Sequence, residues 1–172
     1  MLTTILIWVA VALGVGIAVV LVIAFTKPDS FRVERRIAIK APPEKIFPLI
    51  NDFHAWPAWS PWEKKVPAMK RTHCGAQSGK GAVYAWEGNK SVGKGSMEIM
   101  ESSPPSRLLI ALSFMIPFEA KNTAEFTLAP SGDTTTVNWA MYGPNLFIGK
   151  VMSTFMNMDR MIGKDSKKAS PT

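Results

Sequence analysis

The hydrophobic pattern of the chain is dominated by one uninterrupted apolar run of 21 residues, from Ile5 to Phe25. This run contains no charged, hydroxyl or amide side chain. A helix of that length reaches about 31 Å at a rise of ~1.5 Å per residue, which matches the ~30 Å hydrocarbon thickness of a bilayer. An isolated segment satisfies its backbone polar groups in lipid only as a helix. The pattern therefore predicts a transmembrane anchor over residues 1–26.

A cleaved signal peptide is the alternative interpretation of this segment. Signal peptides have a charged start, an apolar run of about 7–15 residues and a small-residue cleavage site. Here only Met1–Thr4 precede the run, the run is longer, and Ile23–Lys27 contain no A-x-A pattern. We therefore expect the anchor to be retained.

Flanking charge predicts the orientation of the anchor. No charged side chain precedes it, whereas six basic residues follow closely: Lys27, Arg32, Arg35, Arg36, Lys40 and Lys45. The positive-inside rule then places the following domain in the cytoplasm, so we expect a single-pass protein of the inner (cytoplasmic) membrane. Ala10, Gly14 and Ala18 form a stripe of small residues that is compatible with an anchor-mediated dimer, although such spacing is common by chance.

After Thr26 the hydrophobic period becomes that of a soluble α+β domain. Alternating apolar and polar residues predict strands at residues 31–39, 69–74, 81–87, 92–101, 108–114, 119–128 and 134–141. Two short helices are predicted after the first strand, and a helical period returns from Leu146. Short turns between the strands favour an antiparallel meander. The expected fold is thus a curved antiparallel sheet of six or seven strands around a C-terminal helix.

The charge balance changes this picture only in the choice of partner. The chain has 172 residues and a formal net charge of +7, and all its Lys and Arg follow the apolar run. Such an excess suits either nucleic acid or an anionic membrane surface. Because the pattern already predicts a membrane anchor, we expect the membrane and not nucleic acid. The single cysteine, Cys74, excludes an intrachain disulfide and disfavours a structural zinc site.

Several segments together resemble one known superfamily. They are residues 31–35, 41–47, 59–62, 84–89, 122–126, 139–145 and 156–159 (FRVER, APPEKIF, WSPW, YAWEGN, NTAEF, WAMYGPN and MNMD). This combination is similar to the SRPBCC (START-like, helix-grip) superfamily, in the branch of polyketide cyclase/dehydrase-like proteins. The resemblance implies a START-like domain over residues 27–165, followed by a polar tail at 166–172. It also implies a final helix shorter than in relatives, where apolar turns continue past Asp165.

The resemblance implies a deep apolar pocket between the sheet and the final helix, used in the superfamily for lipids, sterols, polyketides or quinones. We expect the inward-facing residues of sheet and helix to line it: Trp56, Trp59, Tyr84, Trp86, Ile110, Leu112, Phe114, Asn122, Phe126, Trp139, Met141, Phe155 and Met158. Trp62 joins Trp56 and Trp59 near a predicted entrance. A filled core with no cavity demands the same residue types, so the pattern alone does not distinguish the two.

The sequence offers little for catalysis. His73 and Cys74 are adjacent, and neighbours in a strand point to opposite faces, which argues against a catalytic pair. We therefore predict no catalytic residues, no metal and no cofactor, and a domain that binds a hydrophobic small molecule at the membrane. Two alternatives stay open. One is a cyclase or dehydratase that acts on a polyketide-like substrate through Asn122. The other is a co-chaperone-like domain that binds a protein.

Overall fold

The computed structural model of the chain describes residues 1–89, 92–117, 119–145, 147 and 149–151. Its first element is the helix α1, Leu2–Thr26. Within it, Thr3–Thr26 has a mean hydropathy of 3.0 over its most apolar window and is long and apolar enough to cross a membrane. None of that window is buried inside the protein.

The domain that follows consists of one sheet with short helices inserted after its first strand. The helical elements are α2 (Pro43–Asn51), a 3-10 turn (Phe53–Ala55), α3 (Trp56–Trp59) and α4 (Pro61–Lys65). The strands are β1 (Ser30–Ile39), β2 (Lys70–Gly75), β3 (Ala82–Glu87), β4 (Lys94–Ser103), β5 (Arg107–Ile116), β6 (Ala120–Ser131) and β7 (Thr134–Pro144). Phe147 and residues 149–151 are helical again.

The seven strands form a single antiparallel sheet in the order β1-β7-β6-β5-β4-β3-β2. The strands β2 to β7 form a meander, and β1 joins its end beside β7. This confirms the predicted fold class and the antiparallel meander. Observed boundaries differ from the predicted ones by a few residues. β6 extends three residues further, to its turn at Ser131↔Thr134, and β7 extends three residues further at its other end, where it pairs with the start of β1.

Alternation along the strands gives the sheet one apolar face, which we call the concave face. It carries Phe126, Leu128 and Val137 in the centre of the sheet, where Phe126 pairs with Trp139 and Leu128 with Val137. The prediction that Asn122 lies on this face and Glu87 outside it agrees with the structure, because Asn122 shares parity with Phe126 while Glu87 is exposed.

The sheet has two ends, which the antiparallel register defines. At the anchor end, where α1 joins the domain, lie the strand termini Ser30, Pro144, Ala120, Ile116 and Lys94. The opposite end, called the far end, carries the β2–β3, β4–β5 and β6–β7 turns and the connection from β1 to α2. Both names are used below in this sense.

Helix α2 and the turns after it cover the concave face toward the far end. Proline suits the first turn of α2, where its missing N–H needs no partner, and Pro43 occupies that position. Four side chains of this segment are buried in one core with Leu108, Phe126 and Leu128: Ile46, Phe47, Ile50 and Phe53. The amphipathic spacing that predicts the helix thus also explains which face it buries.

The junction between α1 and the domain is held by polar contacts to Asn145. The Asn145 backbone N–H donates to the carbonyl of Asp29 over 2.7 Å, and its side-chain amide donates to the carbonyl of Pro28 over 3.1 Å. Lys150 forms an ion pair with the Asp29 carboxylate. The ring of Phe25 in α1 contacts that of Phe147, with 5.2 Å between centroids. The end of α1 is therefore attached to the segment that follows β7.

Candidate functional site

Along β3, β5 and β6, burial of the concave face falls from the far end to the anchor end, and β5 shows this most clearly. Leu108 and Ile110 have no exposed surface. Leu112 and Phe114, on the same face of the same strand, are only half-buried. Since these four side chains point the same way, the difference lies in what covers them. Along these strands the described residues pack the far half of the concave face and leave the anchor-end half incompletely covered.

The anchor-end half of the concave face extends over several strands beside β5. Phe31 on β1 and Trp86 on β3 are half-buried there, like Leu112 and Phe114. Trp139 on β7 is also half-buried, but it lies opposite Phe126, at the level of Leu108 in the far half. Trp86 and Phe114 contact each other edge to face, with ring centroids 5.7 Å apart. These side chains are large, apolar and incompletely covered, which is the composition of a small-molecule site.

The ring of Trp86 is fixed across the neighbouring strand β4. Its indole N–H donates to the carbonyl of Val92 over 3.1 Å. A Cβ atom at Gly95 would lie 2.4 Å from the Trp86 ring, so only glycine leaves space for the ring at this point. The absence of a side chain at Gly95 therefore lets Trp86 lie flat on the concave face.

Asn122 is a polar residue of the anchor-end half, at the level of Leu112. Its carboxamide lies over Gly143 of β7, where a Cβ atom would come within 2.2 Å of Asn122 Oδ1. That oxygen is buried and has no hydrogen-bond partner among the described residues. A buried acceptor without a donor is uncommon, because leaving it unsatisfied destabilises the folded state by about 1–3 kcal/mol. Asn122 Oδ1 is thus available to a hydroxyl or N–H donor.

A second polar group lies where α4 packs on β2 and β3, and the sequence analysis missed it. The Glu63 carboxylate is buried and accepts hydrogen bonds from the Tyr84 hydroxyl and from Arg71 Nε, the latter over 2.6 Å. Burial and the neighbouring Glu63 raise the pKa of Tyr84 well above its ordinary value of 10.0. With two donors on a buried carboxylate, this arrangement ties α4 to the sheet.

Two stacked histidines adjoin this group. The rings of His54 and His73 lie 4.2 Å apart, and His73 also contacts Tyr84. His54 Nδ1 lies 2.8 Å from an Asp52 carboxylate oxygen. Burial, together with the neighbouring His54, lowers the pKa of His73 below its ordinary value of 6.5. His73 Nε2 is buried and has no partner among the described residues.

The pattern of β1 contains a further signal that the sequence analysis passed over. Apolar residues occupy the inward positions 31, 33, 37 and 39, and position 35 in the same series is an arginine. The register places Arg35 opposite Trp139, and it donates from Nη1 to the carbonyl of Glu34 over 2.6 Å. A charge at an inward strand position was the available clue.

The predicted site residues fall into three groups. Buried ones are Tyr84, Ile110, Phe126 and Met141. Half-buried ones are Trp56, Trp59, Trp86, Leu112, Phe114, Asn122 and Trp139. Phe155 and Met158, and with them most of the predicted C-terminal helix, lie outside the described residues.

The tryptophans predicted near an entrance are placed beside the core. Trp56 and Trp59 contact Phe126 edge to face, and their indole N–H groups donate to the carbonyls of Ile50 and Leu49. Trp62 is 43% exposed. In the described part of the chain no group of three or more His, Cys, Asp or Glu side chains is arranged to hold a metal ion.

The seven-stranded sheet, the inserted helices and the apolar concave face define an SRPBCC-type domain. The chain belongs to the family described as Polyketide cyclase / dehydrase and lipid transport, which matches residues 30–169. This confirms the superfamily resemblance. No curated protein matches the chain.

Solved structures share this fold at low sequence identity. A protein from Rhodobacter sphaeroides is 18% identical with a TM-score of 0.55, over 80% of this chain and 86% of its own. A protein from Mesorhizobium loti is 19% identical with a TM-score of 0.54, over 81% and 93%. The Aha1 dimer from Colwellia psychrerythraea is 16% identical with a TM-score of 0.50, over 80% and 87%. At these identities the likeness concerns the fold alone.

The depressed pKa of His73 predicts a loss of stability in weak acid. The folded state favours the neutral imidazole, so the unfolded chain binds more protons as pH falls below 6.5, and unfolding becomes easier. Between pH 7.5 and 5.5, the Tm of His73→Gln should fall by about 2–4 °C less than that of the wild type, measured by calorimetry on the full chain in detergent.

The matched control is Thr72→Gln, an exposed position next to His73 on the other face of β2. It should show the acid sensitivity of the wild type. The Asp52 carboxylate does not interfere, because hydrogen bonds from His54 outweigh the effect of burial and keep its pKa below 3.8, outside this window. An unchanged acid sensitivity in His73→Gln would contradict the assignment.

Proposed function

We propose that this protein is a membrane-anchored binding domain that holds a hydrophobic small molecule against the anchor-end half of the concave face. One observation carries the proposal, namely the change along β5 from fully buried Leu108 and Ile110 to half-buried Leu112 and Phe114. A ligand that covers a further ~100 Å² of this apolar surface contributes about 2.5 kcal/mol. The family description, which includes lipid transport, supports the same class of ligand.

The ligand is a lipid-, quinone- or polyketide-like molecule that carries at least one polar group. The apolar side chains Phe31, Trp86, Leu112 and Phe114 suit a hydrocarbon or ring system, and Asn122 Oδ1 suits a hydroxyl or N–H on it. Trp56 and Trp59 pack against Phe126 in the far half of the face.

The helix α1 supports a membrane location for this binding. Its length and composition suit a single transmembrane pass. Tethering raises the local concentration of a lipid-soluble ligand around the site, without any additional contact. The basic residues after α1 favour the cytoplasmic side of the inner membrane for the domain.

The binding site is tested by filling it. Leu112→Trp adds a large ring to the incompletely covered half, where space permits, so the variant should stay folded and lose bound ligand. We expect native mass spectrometry of the full chain, released from detergent micelles, to show an adduct of defined mass on the wild type. Its occupancy should drop about tenfold in the variant, which corresponds to ~1.4 kcal/mol.

Leu108→Trp is the matched control on the same strand and face. Leu108 has no exposed surface, so the added ring overpacks the core and should lower stability by about 1–3 kcal/mol. The binding proposal fails if Leu112→Trp destabilises the protein as strongly as Leu108→Trp, or if its adduct is unchanged.

The orientation is tested with the single cysteine. Cys74 is exposed on β2, within the domain. A membrane-impermeant maleimide should label it in inverted membrane vesicles and leave it unlabelled in intact cells. Labelling in intact cells would place the domain on the opposite side of the membrane.

A further inference from the structure

The anchor end of the sheet carries apolar side chains that the described part of the domain leaves exposed. Beyond α1, the described residues include six large hydrophobic side chains that are exposed: Leu49, Trp62, Met100, Met115, Ile116 and Phe147. Three of them lie at the anchor end. Met115 and Ile116, 48% and 54% exposed, end β5, and Phe147, 45% exposed, contacts the end of α1. We call these three residues the apolar rim.

The strand register allows the height of the rim to be compared with that of the end of α1. Tyr142 pairs with Arg32 on one side and with Thr123 on the other, and Thr123 pairs with Ala111. Arg32 and Ala111 are therefore level across the sheet. Ile116 lies five residues beyond Ala111, which extends about 16 Å toward the anchor at ~3.3 Å per residue.

The number of residues between Arg32 and the end of α1 limits how far α1 ends above the sheet. Thr26, the last residue of α1, lies six residues before Arg32, and two of those steps belong to β1. Six residues span at most about 20 Å, so α1 ends no more than a few ångström beyond the level of Ile116. Sideways, β5 lies three strands from β1, or about 14 Å at ~4.8 Å per strand.

The junction keeps this geometry in place. Asn145 donates hydrogen bonds to the carbonyls of Pro28 and Asp29, and Lys150 forms an ion pair with the Asp29 side chain. These contacts connect the segment after β7 to the linker between α1 and β1. A domain attached in this way presents its anchor end, and not an arbitrary surface, to whatever surrounds α1.

We infer that the apolar rim is a second membrane contact, in which Met115 and Ile116 enter the lipid interface beside α1 and hold the sheet end-on to the bilayer. This rests on the membrane location proposed for α1 and adds an orientation to it. The partner is a bilayer because α1, which is long and apolar enough to cross one, ends beside the rim. The exposed charges at this end of the sheet are of both signs, with Lys70 and Lys121 near Glu87 and Glu119.

The end-on position has a direct consequence for the binding site. The incompletely covered half of the concave face is the half nearest the rim, since Leu112 and Phe114 precede Ile116 on β5. An end-on domain therefore brings its site to the lipid surface. A ligand leaves the bilayer and reaches Phe114 without crossing bulk water.

The test uses the full chain in liposomes of phosphatidylcholine and phosphatidylglycerol, in a Cys74→Ser background. An environment-sensitive fluorophore is attached at Ile116→Cys, and in separate samples at Met100→Cys and Trp8→Cys. Met100 is the matched control, because it is 46% exposed and lies six residues from the anchor end of β4. Quenching by a spin-labelled phosphatidylcholine measures contact with lipid.

We expect about twofold quenching at positions 8 and 116 and almost none at position 100. Quenching at 8 without quenching at 116 overturns the second contact and leaves the anchor in place. Quenching at both 116 and 100 also overturns it, because the domain would then lie flat on the bilayer. An unquenched label at position 8 overturns the membrane location of α1 itself, and the inference with it.

Discussion

An antiparallel sheet with one apolar face must have that face covered, and this requirement organises the whole domain. The segment from α2 to α4 meets it only toward the far end, where Ile46, Phe47, Ile50 and Phe53 form a core with Leu108 and Ile110. Each such side chain contributes about 1.5–3 kcal/mol when fully buried. Toward the anchor end the same apolar pattern continues along β5, but its burial does not. The contrast between the two halves separates the part of the face that stabilises the fold from the part available to a ligand.

The polar groups of the interior follow the same division. Glu63 accepts hydrogen bonds from Arg71 and Tyr84, so its buried charge is compensated. Removing Arg71 would leave a buried carboxylate charge without compensation in a low-dielectric environment. Asn122 Oδ1 has no such partner. The first group is therefore explained by the structure that it joins, whereas the second is the acceptor that the proposed ligand would satisfy.

The sequence predicted the sheet, its meander and the membrane-length helix because each rests on a local period. Alternation identified the inward face of β5 and β6, including Asn122. The same alternation puts Arg35 at an inward position of β1, between the apolar residues Val33 and Ile37. Glu63 and the stacked pair of His54 and His73 could not be found in this way. Their partners are distant in the sequence, and only the packing of α4 and the 3-10 turn on β2 and β3 brings them together.

What no local pattern could show is how far each inward residue is covered. Leu108 and Leu112 are the same residue type and face the same way on β5. Leu108 is nevertheless fully buried, whereas Leu112 is only half-buried. The most direct measurement is therefore methyl NMR of the full chain in detergent under xenon pressure, because xenon enters apolar cavities that water leaves empty. The account predicts that xenon shifts the methyl signals of Leu112 and leaves those of Leu108 unchanged. Equal shifts for the two leucines, or none for either, would contradict it.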